Sequence, residues 1–195
     1  MRGIRPQGHG ENEGRVNKES QHVMSHDTHH RYEWNAIPWR KLEVKVFKLQ
    51  RRISQATTRG ETKKAHRLQK LLASSWRAKS LAVRRVTQEN KGKKTAGVDG
   101  ASNLTPPQRL KRISTMDLHA PVNPVRRIWI PKPGKPEKRP LGIPIMHDRG
   151  TQALAKIALE PEWEAKFEPN SFGCRPGRSC QDAIRQISVE PNRRT

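Results

Sequence analysis

Arg126-Arg-Ile-Trp-Ile-Pro-Lys-Pro-Gly-Lys-Pro-Glu-Lys-Arg-Pro-Leu-Gly-Ile-Pro144 is the stretch on which the fold turns. Val125, Ile128 and Ile130 interleave with Arg126, Arg127 and Trp129, which is a strand period rather than a helical one. Pro131 to Pro136 holds three prolines and Gly134 at its tip, so the chain turns there. Lys138 to Ile145 then predicts the returning strand of a β-hairpin. Pro140 and Pro144 lack the N–H that a central strand needs, so the strand is short or lies at an edge.

Downstream, the period becomes helical. Asp148 is placed to cap a helix running to about Phe167, with Ala153, Leu154, Ile157 and Ala158 on its inner face and a kink or break at Pro161. Gly150 should weaken the first turn by about 1 kcal/mol relative to Ala. After the loop 168–177, Ser179 and Asp182 have the spacing of a reciprocal cap, with Ala183, Ile184 and Ile187 expected inside the helix they open.

Upstream, Leu42, Val46, Leu49 and Ile53 share one helical face, and Gly60 ends that helix. A second helix is predicted from about Glu61 to Ser75, with Ala65, Leu68, Leu71 and Leu72 inward and Trp76 closing it. A third covers Ala78 to Val86, with Leu81, Ala82 and Val86 as its apolar face. The loop 91–100 carries three glycines, and Asp99, between Val98 and Gly100, reads as a turn former rather than an acid. The fold class is therefore α+β: mostly helical, with basic N-terminal helices followed by a unit that holds a small antiparallel hairpin.

Charge sets the partner class. The 195 residues hold 40 Lys and Arg against 18 Asp and Glu, a formal net charge of +22. A compact fold repels itself at such a charge unless a polyanion neutralises it, and nucleic acid is the polyanion of first choice. The excess is concentrated: Arg40 to Lys94 contains 18 Lys and Arg and only 3 Glu. The exposed cations expected there include Lys41, Lys45, Lys48, Arg51, Arg52, Lys63, Lys64, Arg84 and Arg85. A merely solvated surface mixes signs, and this one does not. Aromatic residues are 5% of the chain and mostly tryptophans suited to a core, so recognition by shape and phosphate of structured RNA is expected rather than a stacking platform.

Other classes fall away. Cys174 and Cys180 make no disulfide framework or zinc half-site. No apolar run approaches the ~20 residues that span a bilayer, and no apolar signal segment opens the chain, so a membrane partner is not expected. Five of the eight histidines lie in residues 1–30, a polar stretch read as a disordered tail rather than a metal site. Residues 188–195 carry no apolar pattern either.

The order and spacing of Ile130-Pro131-Lys132, Lys138-Arg139-Pro140-Leu141-Gly142-Ile143-Pro144, His147-Asp148-Arg149, Leu159-Glu160-Pro161 and Asn170-Ser-Phe-Gly-Cys-Arg-Pro-Gly-Arg178 resemble the fingers of group II intron reverse transcriptases. Trp39 to Val86 with Thr95-Ala-Gly-Val-Asp-Gly100 resembles the family's N-terminal extension. The resemblance divides the chain into a basic helical extension, 31–100, and a fingers subdomain, 101–187. It implies that Lys132 and Arg139 contact the phosphates of an incoming deoxynucleoside triphosphate and that Arg175 and Arg178 contact the template. The partner it implies is group II intron RNA, with the palm and thumb supplied by a second chain where this one lacks them.

The family's chemistry uses two metal ions held by palm carboxylates. Neither the palm motif nor any Asp-Asp pair occurs in this chain, and Asp182 is its last aspartate. No catalytic residue is assigned, therefore, no metal or cofactor is expected on this chain alone, and Mg2+ belongs to a complete polymerase. The expectation is a truncated reverse transcriptase/maturase region that binds RNA but does not polymerise by itself, in a bacterial cytoplasm or an organelle matrix or stroma. The alternatives are a stand-alone RNA-binding or splicing-helper protein, and a nonfunctional remnant.

Overall fold

The computed structural model describes residues 33–189. The tail expected over residues 1–30, with its histidines, lies outside them, as does most of the unpatterned end.

A single 3-10 turn, Trp34–Ala36, leads into α1, Trp39–Thr58. Leu42, Val46, Ile53 and Ala56 are buried along one stripe of α1, and Leu49 packs against the same core. Gly60, at φ +72°, takes the left-handed turn that ends the helix and allows α2, Thr62–Ser74, to fold back. Ala65, Leu68 and Leu72 are buried as expected, but Leu71 is exposed and Gln69 takes an inward place. Here hydrogen bonding decides the face. The Gln69 amide donates to buried Glu162 at 2.5 Å, so burying it leaves no polar group unpaired.

Trp76 opens the third helix instead of closing the second. α3 is Trp76–Arg84, and Ser75 caps it by accepting from the Ala78 amide at 3.2 Å. A cap of this kind contributes about 1 kcal/mol, enough to set the start of a short helix. The chain then widens into a π-helical turn, Arg85–Glu89, and a 3-10 turn, Lys91–Lys94. α4, Pro106–Thr115, begins with both prolines in its first turn and a reciprocal cap between Thr105 and Gln108.

β1, Arg126–Pro131, and β2, Lys138–Ile143, form a two-stranded antiparallel sheet with Arg126 opposite Ile143 and Pro131 opposite Lys138. Gly134 reverses the chain at φ +67°. α5, Met146–Lys166, passes through Pro161 without a break. Asp148 is not its cap: it sits buried in the first turn and accepts from the backbone and side-chain nitrogens of Asn123 at 3.0 and 3.2 Å. α5 crosses α1, α2 and α3, so Leu154, Ile157 and Ala158 complete one core with Ile53, Leu72 and Val83. That core therefore draws on both the basic helices and the segment that follows the hairpin.

α6, Cys180–Val189, has its expected cap, with Ser179 and Asp182 exchanging bonds of 2.7 and 2.9 Å between the Asp182 carboxylate and the Ser179 hydroxyl and amide. The apolar side expected inside is not: Ile184 and Ile187 are both exposed, and α6 has no buried residue.

Candidate nucleic-acid interface

The basic face begins with what happens to its acids. Between Arg40 and Lys94 the carboxylates are Glu43, Glu61 and Glu89. Glu43 and Glu89 both close on Arg84, at 3.1 and 2.9 Å, and Glu61 closes on Lys64 at 2.6 Å. The Lys64 ammonium holds the Glu61 carboxyl below its ordinary pKa by donating a hydrogen bond to it. Arg84 also stacks over Trp39 at 4.8 Å. Trp39 leans on Trp34 at 4.9 Å, and Arg109 lies over Trp34 at 5.4 Å. Arg84 is thus a strut between α1 and α3, and its charge is neutralised from within.

What remains outward is of one sign. Lys41, Lys45, Lys48, Arg51, Arg52 and Lys63 are exposed and make no ion pair among the described residues. Five of these six lie on α1, on the sides turned away from the buried Leu42–Val46–Ile53 stripe. Arg85 is exposed too, and borders a surface depression with Glu43, Glu89 and Glu160. Most of the predicted cations that stay exposed and without an ion pair among the described residues thus lie on α1 and at the start of α2.

The hairpin keeps Lys132 and Arg139 together. Side chains alternate along strands, and Ile130 pairs with Arg139. Lys132, two residues beyond Ile130, therefore shares a face with Arg139, Ile128 and Leu141. The Lys132 amide donates to the Glu137 carbonyl at 3.0 Å, which prolongs the ladder by one rung. The Lys132 ammonium pairs with the Glu137 carboxylate at 2.6 Å, so any phosphate reaching Lys132 competes with Glu137. Sequence reasoning did not single out this counter-ion.

Arg175, expected at a template surface, lies buried. Its guanidinium donates to Glu164 at 2.9 to 3.2 Å and to the carbonyls of Glu168 and Ser171, each at 2.9 Å, and it packs over Phe167. It anchors the loop to the end of α5. Arg178 donates to the carbonyls of Pro169 and Ser171 and lies over Phe172 at 5.4 Å, half-exposed. Cys174 adopts φ +57° in this loop, and its thiol, like that of Cys180, is free and exposed.

Arg149 was visible only as part of a motif, with no role attached. Its guanidinium reaches the carbonyls of Pro144, Gly92 and Thr95 at 2.9, 2.8 and 2.7 Å. One side chain thereby ties the glycine loop, the hairpin exit and α5 together. In the same loop Asp99 accepts from the Ala101 amide at 3.2 Å, the turn-forming role expected of it.

Comparison with known proteins agrees with this architecture. A family model described as the N-terminal domain of reverse transcriptase matches residues 34–116. The "Group II intron-encoded protein LtrA" of Lactococcus lactis subsp. cremoris is 38% identical over 104 residues, 52% of this chain and 17% of that protein. "Maturase-like protein 1" of Euglena gracilis is 35% identical over 148 residues, 70% of this chain and 30% of that protein. Over most of its described length the chain is similar to group II intron reverse transcriptases and maturases. "Protein YkfC" of Escherichia coli (strain K12) is also similar, 33% identical over 152 residues, covering 74% of this chain and 39% of that protein. The chain thus spans well under half the length of each of these relatives. The reverse-transcriptase N-terminal match covers α1 to α4 and ends at buried Met116, ahead of the hairpin.

Among the described residues no three His, Cys, Asp or Glu side chains gather where a metal ion could sit. Among the same residues no helix is long and apolar enough to cross a membrane.

Proposed function

We propose that this chain grips structured RNA, of the group II intron kind, through α1 and the start of α2, and that its hairpin adds phosphate contacts for an incoming nucleotide in a complete polymerase. One observation carries the reading. The three glutamates of the basic segment are spent on Arg84 and Lys64, and a face of unpaired cations is left along α1. The kinship with an intron-encoded protein makes intron RNA the preferred polyanion. The setting is wherever such RNA is spliced, a bacterial cytoplasm or an organelle matrix or stroma.

The hairpin's role follows from electrostatics. Cations fixed on a short ribbon need little reorganisation when charge builds on a phosphoryl group. Arg139 can fork onto two oxygens, and Lys132 acts as a point charge once Glu137 is displaced. Arg178 is the loop's remaining template candidate, with Arg175 as its support. Palm and thumb, on this protein's own chain or on a second one, would supply the metal-binding carboxylates. The 195-residue chain by itself is expected to incorporate no nucleotide.

The test is binding to a folded intron RNA in the presence of excess heparin. The chain is compared with a variant carrying Lys41→Gln, Lys45→Gln, Lys48→Gln and Arg52→Gln. Specific binding that survives heparin and falls at least tenfold in the variant supports the reading. Binding that heparin removes from both proteins alike leaves only nonspecific charge. For the hairpin, Glu137→Gln should tighten triphosphate binding and Lys132→Ala should weaken it. Equal affinities across the three proteins would remove Lys132 from the nucleotide site.

A further inference from the structure

The sequence argued against a stacking surface because its tryptophans looked like core residues, yet Trp129 is 57% exposed. Its place in the ladder says more. Trp129 pairs with Pro140, Arg127 with Gly142, and Pro131 with Lys138. By strand alternation these six residues form one face of the hairpin, opposite the face of Lys132 and Arg139. The hairpin's one acid, Glu137, is on that other face, paired with Lys132. The Trp129 face therefore carries two cations, Arg127 and Lys138, both exposed, and no carboxylate. Pro140 stands opposite Trp129 and Gly142 opposite Arg127, and Val125, packed on Gly142, closes one end.

We propose that this back face of the hairpin is a second nucleic-acid site, which stacks a base of single-stranded nucleic acid on Trp129 while Arg127 and Lys138 hold the flanking phosphates. An exposed indole on a β-ribbon offers a large apolar face whose burial under a planar partner is favourable. The one-signed flank selects a polyanion as the cover. A duplex presents its bases edge-on within grooves and cannot lay one on a flat ribbon, whereas a single strand can. The site does not depend on the helical face, because none of its residues belongs to α1 or α2.

The test uses short oligo(dT) and oligo(rU), which lack structure of their own, and a duplex of equal length. Trp129→Ala and Trp129→Thr should each weaken single-strand binding roughly tenfold, as expected for one stacked base, and Trp129→Phe should retain most of it. Duplex binding and the salt slope should not change in these variants. Lys138→Gln should lower the single-strand slope by about 0.7, the value of one phosphate contact. Thr favours strands, so it guards against simple loss of the hairpin. If Ala weakens binding and Thr does not, strand order was the cause and the site is refuted. Unchanged affinity with improved solubility in Trp129→Thr would mark a protein-contact face and also refute it. Repeating the series on a Lys45→Gln, Lys48→Gln background separates the two surfaces. The Trp129 dependence should persist there even if the helical face proves nonspecific.

Discussion

Arg149 does at one residue what a sequence motif could only mark. His147-Asp148-Arg149 stood out by order and spacing, but not by task, because two of the three carbonyls that Arg149 holds are 54 and 57 residues away. Carbonyls are anonymous in a sequence; only the fold brings them together. Asp148 is similar: a cap was the local reading, and Asn123, 25 residues upstream, took the carboxylate instead. Arg149→Ala should therefore lower stability by about 2–3 kcal/mol, since it strands three acceptors and leaves the 92–95 loop untied. A drop in thermal midpoint with RNA specificity retained at low temperature is the expected outcome, and no drop would deny the clamp. Glu162 gives a pH dependence at the same scale. Lys166 holds its carboxyl below the ordinary range by donating a hydrogen bond, helped by Gln69 and opposed by burial. A carboxyl lowered in the folded state contributes stability that is complete above its unfolded pKa, about 4.3, and is lost as pH falls through the lowered folded value. Acid titration of stability should show this loss below about pH 4.3, and Glu162→Gln should flatten that limb. An unchanged limb would place the acid sensitivity elsewhere.

Elements were legible where periodicity and punctuation agree. α1, the hairpin and the Ser179–Asp182 cap follow from apolar spacing, from Gly134 and from a local exchange of bonds. Faces failed where a partner outside the local pattern decides them. Leu71 yields its inward place to Gln69 because Glu162 waits there. Ile184 and Ile187 find nothing to cover them among the described residues. The boundaries that shifted, the starts at Trp76 and Met146 and the end of α3 at Arg84, depend on caps and turn types that apolar spacing does not encode. Two glycines test the elements directly. Gly97 is buried, and a Cβ there would stand 2.7 Å from the Ile145 Cα, a backbone atom that cannot swing aside. Gly134 has open space and only its φ of +67° to lose. Gly97→Ala should therefore cost about 2–3 kcal/mol by forcing the loop off the hairpin exit, and Gly134→Ala about 1 kcal/mol. Urea midpoints for the two variants would reverse the assignment if Gly134→Ala were the more damaging.

For the whole molecule, the charge acts on folding and on binding with opposite signs. A net charge of +22 opposes compaction, and the unpaired cations along α1 add to that without stabilising contacts of their own. Salt screens this repulsion, so the thermal midpoint should rise between low and moderate ionic strength. The same salt competes with RNA, so log affinity should fall linearly with log salt concentration. A fold held mainly by surface ion pairs would instead lose stability as salt rises. Within the basic helices the stabilising pairs meet at Arg84, whose two glutamates and tryptophan sit at the α1–α3 junction. Two substitutions separate the roles. Lys48→Gln should reduce the RNA salt slope by about 0.7–0.9 and leave the midpoint unchanged or slightly higher. Arg84→Gln should lower the midpoint by leaving Glu43 and Glu89 without their partner, and leave the slope unchanged. If Arg84→Gln moves the slope and Lys48→Gln does not, the neutralised strut is the RNA contact, and the division between internal and outward cations is wrong.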